Sequence, residues 1–329
     1  MKILLTGGAG YIGSACLRWL LRHGHDPIAY DNLSEGNAAS VPADRLVVGD
    51  LSDTALLTAT LRDHAIEAVI HFAALASVPL SIVDPDNYYR VNLLGTKSLL
   101  DAMRQASVSK IVFSSTAATY AFGVETPIRE TTPQRPETPY GTTKLAAEHM
   151  IKDYARAYDL SYTIFRYFNA SGADPDGQFG ESRHVEGHII PLTLMVATGR
   201  RDKLKIFGQD WDTRDGTCVR DYVHTDDLAQ AHQRAIETLG PGVGREYNIG
   251  SGMGTSILEL LRACEKAVGH PIRHEFVDRR PGDPGTLIAT PEKVVAELGW
   301  SPQHDIDSIV ATAWKWHSSH PDGYASAGR

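Results

Sequence analysis

KILLT (residues 2–6) runs directly into GGAGYIG (7–13) and then into a helical pattern that ends at Gly24. A continuous apolar run of this length is a strand buried on both faces. A strand that turns at once into a helix through glycines leaves few folds open, and here the unit recurs. PIAYD (27–31), RLVVGD (45–50), AVIHFA (68–73), IVFSS (111–115) and SYTIFRY (161–167) read as further strands. Helical segments over about 53–64, 85–106 and 139–158 separate the later ones. Such strict alternation requires right-handed crossovers and an open parallel sheet with helices on both faces.

After Asn169 the texture changes, with residues 171–188 rich in Gly, Asp, Ser and His. VRDYVHTDDLAQAHQRAIETL (219–239) and REYNIG (245–250) read as one more strand, helix and strand that return to the first lobe. The expected architecture is α/β: a Rossmann-type doubly wound parallel sheet over residues 1–168 and 219–250, with a smaller mixed α/β lobe over 169–218 and 251–329. The terminal SAGR is expected to fray.

Bulk properties exclude several classes of function. The net charge of −8 gives no basic surface for nucleic acid or anionic lipid. No apolar run approaches the length that spans a bilayer. MKILLTGG reads as a buried strand rather than a signal peptide. Cys16, Cys218 and Cys264 are odd in number and far apart, which argues against a disulfide framework or a zinc site and fits a reducing cytosol. His184-x-Glu186-x-His188 lies on a Gly- and Asp-rich loop and lacks the helical presentation of H-E-x-x-H sites, so no metal is expected there.

The glycine loop carries the first chemistry. Gly8, Gly10 and Gly13 make G-x-G-x-x-G, while Gly7, Gly10 and Gly13 make G-x-x-G-x-x-G. Placed between a strand and a helix, they allow a tight turn and let a pyrophosphate approach the backbone. The helix N-terminus offers N–H groups and a positive dipole end to the phosphates. Asp31 closes the second strand, where a carboxylate accepts both adenosine ribose hydroxyls and repels a 2′-phosphate. Asn32, Leu33 and Ser34 bring no arginine for such a phosphate, so the site favours NAD over NADP. Asp50, at the next strand end, suits the adenine amino group, and its alternative is a turn-forming Asp before Leu51.

PYGTTK (139–144) carries the second. Tyrosine has a pKa of about 10, so a phenol is a poor base near neutrality. Pro139 is a good first helical residue, which places Tyr140 and Lys144 one turn apart on one face. Thr116, just past IVFSS, sits at the sheet edge where open α/β sheets bind ligands. To act as a base, the phenol must lose roughly three pKa units, about 4 kcal/mol. The Lys144 ammonium and the positive nicotinamide ring are the available cations. Hydroxyl, phenol and ammonium together suit oxidation of a secondary alcohol, with Tyr140 taking the proton. The competing reading, a surface Tyr stacked on a surface Lys, leaves the glycine loop and Asp31 unexplained.

Glycine loop, Asp31, IVFSST and YGTTK together resemble the extended short-chain dehydrogenase/reductase superfamily. GGAGYIGS, YDNLS, GDLSD, VIHFAAL, NLLGT, RYFNASGAD, DGTCVRDYVHTDDLA, YNIGSG and RRPGD narrow the resemblance to the UDP-glucose 4-epimerase family, along essentially the whole chain. The resemblance implies an NAD-dependent isomerase that interconverts UDP-glucose and UDP-galactose. It implies NAD contacts at Tyr11, Ile12, Asp31, Asn32, Asp50, Leu51, Phe72, Ala73, Ala74, Asn92, Ser114, Tyr140, Lys144 and Phe168. The catalytic pair falls on Tyr140 and Thr116, and UDP-sugar contacts fall on Asn169, His188, Ile189, Phe207, Arg220, Tyr222, Arg280 and Asp283. Two arginines suit a diphosphate, which is best met by planar, permanently charged forks. A cytoplasmic homodimer, packed through helices that include the one carrying Tyr140, is also implied.

Three positions depart from the commonest pattern of that family. Ala76 replaces a lysine, His188 replaces an asparagine, and Leu287 stands at a gate where tyrosine excludes N-acetyl groups. Leucine is intermediate in size, so UDP-N-acetylhexosamines or UDP-pentoses join the candidate substrates. A sugar-nucleotide 4,6-dehydratase or a decarboxylase is the enzymatic alternative, but Ala117 and Ala118 stand where such enzymes carry acidic residues. A non-catalytic NAD-binding regulator is the other, and it has no use for Tyr140, Lys144 and Thr116 together.

Overall fold

A computed structural model describes residues 1–183, 185–280 and 282–324, so His184 and the SAGR tail lie outside the described residues. The chain divides into two compact units. One comprises residues 1–121, 130–167 and 229–247; the other comprises 122–129, 168–228 and 248–329.

In the first unit the alternation is realised as β1 (Lys2–Thr6), α1 (Tyr11–Arg22), β2 (Asp26–Asp31), β3 (Leu46–Val48), α2 (Thr54–Asp63) and β4 (Ala68–His71). Helical chain follows as α3 (Val78–Val83), α4 (Pro85–Tyr88), a π-helical turn (Tyr89–Leu94) and α5 (Gly95–Gln105). Then come β5 (Lys110–Thr116), α6 (Pro139–Tyr158) and β6 (Ser161–Tyr167). The strand order is β11-β6-β5-β4-β1-β2-β3, with β11 (Gly244–Ile249) at one edge. All pairings from β3 through to β6 are parallel. Order reverses between β1 and β4, and the carboxyl ends of that pair form the switch point where such sheets bind ligands.

One face of the sheet is covered by α2, α5 and α6, whose Leu57, Leu61, Leu99, Met103, Ala147 and Ile151 pack on Leu4, Val69, Ile111 and Phe113. Burial of apolar side chains at about 25 cal/mol per Å² holds this layer in place. Trp19 of α1 donates to Gln233 Oε1 at 2.7 Å, tying α1 to α8 (Thr225–Thr238).

The second unit has shorter elements: β7 (Asn169–Ser171), α7 (Ile189–Ala197), β8 (Leu204–Phe207), β9 (Val219–Arg220), β10 (Tyr222–His224), β12 (Thr255–Ser256), α9 (Ile257–Val268), β13 (His274–Val277), β14 (Thr286–Leu287), α10 (Glu292–Leu298) and α11 (Ile306–Ser319). Its core gathers Leu194 of α7, Ile206 of β8, Tyr222 of β10, Leu260 and Leu261 of α9 and Ile309 and Val310 of α11.

Several segments lie elsewhere than the sequence suggested: Phe168, residues 219–228 and 248–250, and residues 122–129 all fall in the second unit. Residues 219–224 do not join the large sheet: β9 pairs with β12 and β14, and β10 pairs with β7. Residues 122–129 fall in the second unit because Ile128 forms a strand-like bridge there, donating to Ile288 O at 2.8 Å and accepting from Thr290 N at 2.9 Å.

Candidate active site

At the switch point the glycine loop is shaped by contacts that leave no space for side chains. Gly7 has φ +69° and donates to Tyr30 O at 2.8 Å. A Cβ on Gly7 would stand 2.6 Å from Ala73 N, and one on Gly13 would stand 2.2 Å from Gly7 O. Phe72 N and Ala73 N both donate to Thr6 O, so the chain after β4 lies against the loop after β1. Gly10 caps α1 without any side-chain bond, and the first turn that follows carries Tyr11, Ile12 and Gly13. The loop fits a dinucleotide pyrophosphate.

Asp31 ends β2 nearly buried. Its carboxylate accepts from Ala9 N at 3.0 Å and Leu33 N at 2.8 Å, and burial pushes its pKa up against those two bonds. Asn32 Nδ2 donates to Asp50 Oδ2 at 2.7 Å, so those two residues meet as a pair. Bonds from the Ser52 hydroxyl and backbone hold the Asp50 carboxyl below its ordinary range. Leu51 is buried beside Gly95, which a Cβ would bring within 2.9 Å of Leu51 Cδ1. Asn92 lies on the π-helical turn and stitches three segments: its amide pairs with Leu75 N and O and donates to Thr143 Oγ1 at 3.1 Å. Ser114 is buried in β5 beside the Tyr167 hydroxyl. Ala74 follows Ala73 after β4. Phe168 belongs to the second unit, where its N–H donates to Ile249 O.

Tyr140 is set by the start of α6. Thr138 accepts from Gly141 N and caps the helix, and Pro139 opens it. Gly141 is the residue that matters for position: a Cβ there would lie 2.1 Å from Ala118 O. The first turn of α6 therefore rests on the 117–119 turn, directly after Thr116. The Thr116 hydroxyl accepts from Ala118 N at 3.1 Å and keeps a hydrogen to donate. The Tyr140 ring meets Tyr88 edge-on, with centroids 6.3 Å apart. Thus the first unit brings together the glycine loop, Thr116, Tyr140 and Lys144.

Lys144 is buried, with Nζ 4.3 Å from the centre of the Phe113 ring. Burial pushes its pKa down to about 7, and the carboxylate of Glu148 opposes that shift. His71, held between Thr6 Oγ1 and Thr96 Oγ1, is pushed down to about 3 by burial and then by Lys144, so it remains neutral. The structure adds Gly141 and Glu148, which only their spacing from Tyr140 and Lys144 could have flagged.

In the second unit, the β9 and β14 ladder sets Arg220 beside Leu287, and the β7 and β10 ladder sets Asn169 beside Tyr222. The Arg280 guanidinium lies 3.8 Å from the Phe207 ring centre, and Asp283 and Arg220 both act on Cys218. Asp221, which the motif reading passed over, is fully buried and accepts from Ser251 N and Oγ, Gly252 N and Ala289 N. It clamps the strands that present Arg220 and Tyr222. Ile189 begins α7, and His188 before it bonds Glu181 Oε1 through Nδ1 at 2.7 Å. Glu181, Glu186 and His188 present atoms within 4.8 Å of one another. Arg183 Nε also lies on Glu181 Oε1, so this cluster already contains its own cations. Burial would raise Glu181, but His188 and Arg183 outweigh it and hold the carboxyl down to about 2.

Comparison with known proteins shows which family the chain belongs to. Residues 3–250 match the NAD dependent epimerase/dehydratase family. The UDP-glucose 4-epimerase of Halalkalibacterium halodurans is 47% identical over 328 residues, covering 99% of this chain and 98% of that protein. The crystal structure of UDP-glucose 4-epimerase from Brucella ovis in complex with NAD is similar with a TM-score of 0.92 at 46% identity, covering 95% of this chain and 97% of that one. That of the Bifidobacterium longum enzyme in complex with NAD+ and UDP gives 0.93 at 37% identity, covering 98% and 100%. The chain belongs to the NAD dependent epimerase/dehydratase family, among its UDP-glucose 4-epimerases.

Proposed function

We propose that this protein interconverts UDP-glucose and UDP-galactose by transient oxidation at sugar carbon 4, with NAD retained and not consumed. The observation that carries the reading is the seating of α6 on the turn after Thr116, which places Tyr140, Lys144 and Thr116 in the unit that holds the glycine loop. When bound, NAD would supply the hydride acceptor for carbon 4 and the source from which hydride comes back. Tyr140 takes the 4-hydroxyl proton and gives it back, Thr116 donates a hydrogen bond to the reacting oxygen, and Lys144 supplies positive charge beside the phenol. Arg220 and Arg280 would hold the diphosphate and leave the sugar ring free to turn over about it, which inversion at carbon 4 requires. Incubating UDP-galactose with the purified protein, without added NAD, yields UDP-glucose. No conversion of any UDP-hexose or UDP-pentose would leave a non-catalytic NAD binder as the better account.

Leu287 sets substrate range in this reading. Its register beside Arg220 puts it next to a residue assigned to the diphosphate. The wild-type protein converts UDP-N-acetylglucosamine as well as UDP-galactose. Leu287→Tyr lowers kcat/KM for the N-acetyl sugar at least about ten-fold and leaves UDP-galactose within about three-fold. An equal loss on both sugars would remove Leu287 from the gate.

We also infer a cytoplasmic homodimer. The three buried, unbridged cysteines support a reducing compartment, and no described helix is long and apolar enough to cross a membrane. Leu80, Ile82 and Val83 of α3, with Tyr89 and Leu94 after α4, are exposed on the first unit, and exposed apolar side chains on neighbouring elements support an association face there. Sedimentation velocity should give twice the 35.9 kDa chain mass. Joint Ile82→Glu and Leu94→Glu substitution should give the single-chain mass, and a surviving dimer would place the interface elsewhere.

A further inference from the structure

Arg166 and Glu148 form an ion pair at the centre of the first unit, and neither residue belongs to the catalytic machinery proposed above. Glu148 lies on α6 one turn beyond Lys144, as Lys144 lies one turn beyond Tyr140, so the three form one row along the helix. Its side chain is completely buried. Both carboxylate oxygens are fixed. Oε1 accepts from Ser115 Oγ and from Arg166 Nε at 3.1 Å. Oε2 accepts from Arg166 Nη2 at 2.7 Å and from Gln134 Nε2 at 3.1 Å.

Ser115 directly precedes Thr116, so this carboxylate joins the end of β5 to the row that carries Tyr140 and Lys144. We propose that Glu148 is a positioning residue for the reaction: it locks α6 against the end of β5 and supplies the negative charge that keeps Lys144 an ammonium ion. This proposal rests on the assignment of Tyr140 and Lys144 above.

The groups around Lys144 leave that task to Glu148. On α6 its row neighbours are the Tyr140 phenol and Glu148. From β4 comes His71, which is neutral, and from β5 the Phe113 ring, whose π face attracts a cation without carrying charge. Arg166 on β6 is bound to Glu148 and, at 2.5 Å, to Glu246 of β11, whose second oxygen meets Lys152 Nζ at 2.6 Å. Glu148 is the charge that counteracts burial at Lys144. A buried ion pair that served packing alone could be exchanged for apolar side chains with little loss of function. A charge that keeps the lysine protonated could not.

The test is the pH profile of kcat on UDP-galactose, measured on the NAD-containing protein. Glu148→Gln keeps the shape of the side chain and removes its charge. It should move the alkaline limb, where Lys144 loses its proton, to lower pH by about one unit or more, a Coulombic effect across one helical turn. Glu148→Asp, which keeps the charge, should restore the limb towards its wild-type place. A rate reduced equally at every pH, with the limb unmoved, would make Glu148 a structural residue only and overturn the proposal. If Glu148→Gln does not fold, carbon-13 NMR of ε-labelled lysine in the wild-type holoenzyme decides: Lys144 should titrate near pH 7 or above, and a midpoint below about pH 6 overturns the proposal. The base assignment is tested separately, because Tyr140→Phe loses turnover across the whole pH range whatever Glu148 does.

Discussion

Tyr140→Phe lowers kcat on UDP-galactose by about 10²–10⁴, the range that a positioned general acid–base contributes, and leaves UDP affinity within about two-fold. The substitution deletes one oxygen. Its ring still meets Tyr88 edge-on, and Thr138, Pro139 and Gly141 still set the helix start. The loss therefore belongs to proton transfer and not to the fold or to binding. Initial rates and calorimetry of UDP separate the two. A variant that kept the wild-type rate would take the acid–base role away from Tyr140.

Gly141→Ala is the second large effect, and its sign runs against helix propensity. Alanine in place of glycine in a helix ordinarily stabilises it by about 1 kcal/mol. Here the new methyl would meet backbone, 2.1 Å from Ala118 O and 3.0 Å from Ala118 C, and no rotamer relieves it. The start of α6 and the turn after Thr116 must part, and a displacement on the order of 1 Å at the reacting groups costs about 10²-fold in rate. NAD content stays near wild type, because the glycine loop is on a different segment. A normal kcat in Gly141→Ala would mean that the 117–119 turn moves without consequence and that the contact does not set Tyr140.

Local signals made the first unit legible. Helix α6 spans Pro139–Tyr158, as the sequence indicates, because a proline opens it, an apolar row persists through it, and Asp159 leaves it in the left-handed region at φ 53°. β6 follows over Ser161–Tyr167, buried except at Tyr162. The second unit was harder to read, since β9, β12 and β14 have two residues each and exist only through partners 35 or more positions away. Hydrophobic periodicity cannot register strands of that length, and residues 219–224 were accordingly expected to return to the first lobe.

Buried charge was the other blind spot. Glu148 precedes His149 on a helix rich in charged residues and reads as solvent-facing, while Arg166 interrupts the apolar run SYTIFRY. Only the fold shows that both are buried and that they form an ion pair. Asp221, between two residues assigned to the substrate, was hidden for the same reason: its partners Ser251, Gly252 and Ala289 are remote in sequence.

The central claim is that a proton shuttle on Tyr140 works beside a redox cofactor that never leaves. UDP-galactose deuterated at sugar carbon 4, incubated with the purified protein and an excess of unlabelled external NADH, tests it most directly. The account predicts UDP-glucose that retains the deuterium at carbon 4, with none in the solvent or the external nucleotide pool. Deuterium lost to either, or labelled UDP-galactose recovered unchanged, would contradict it.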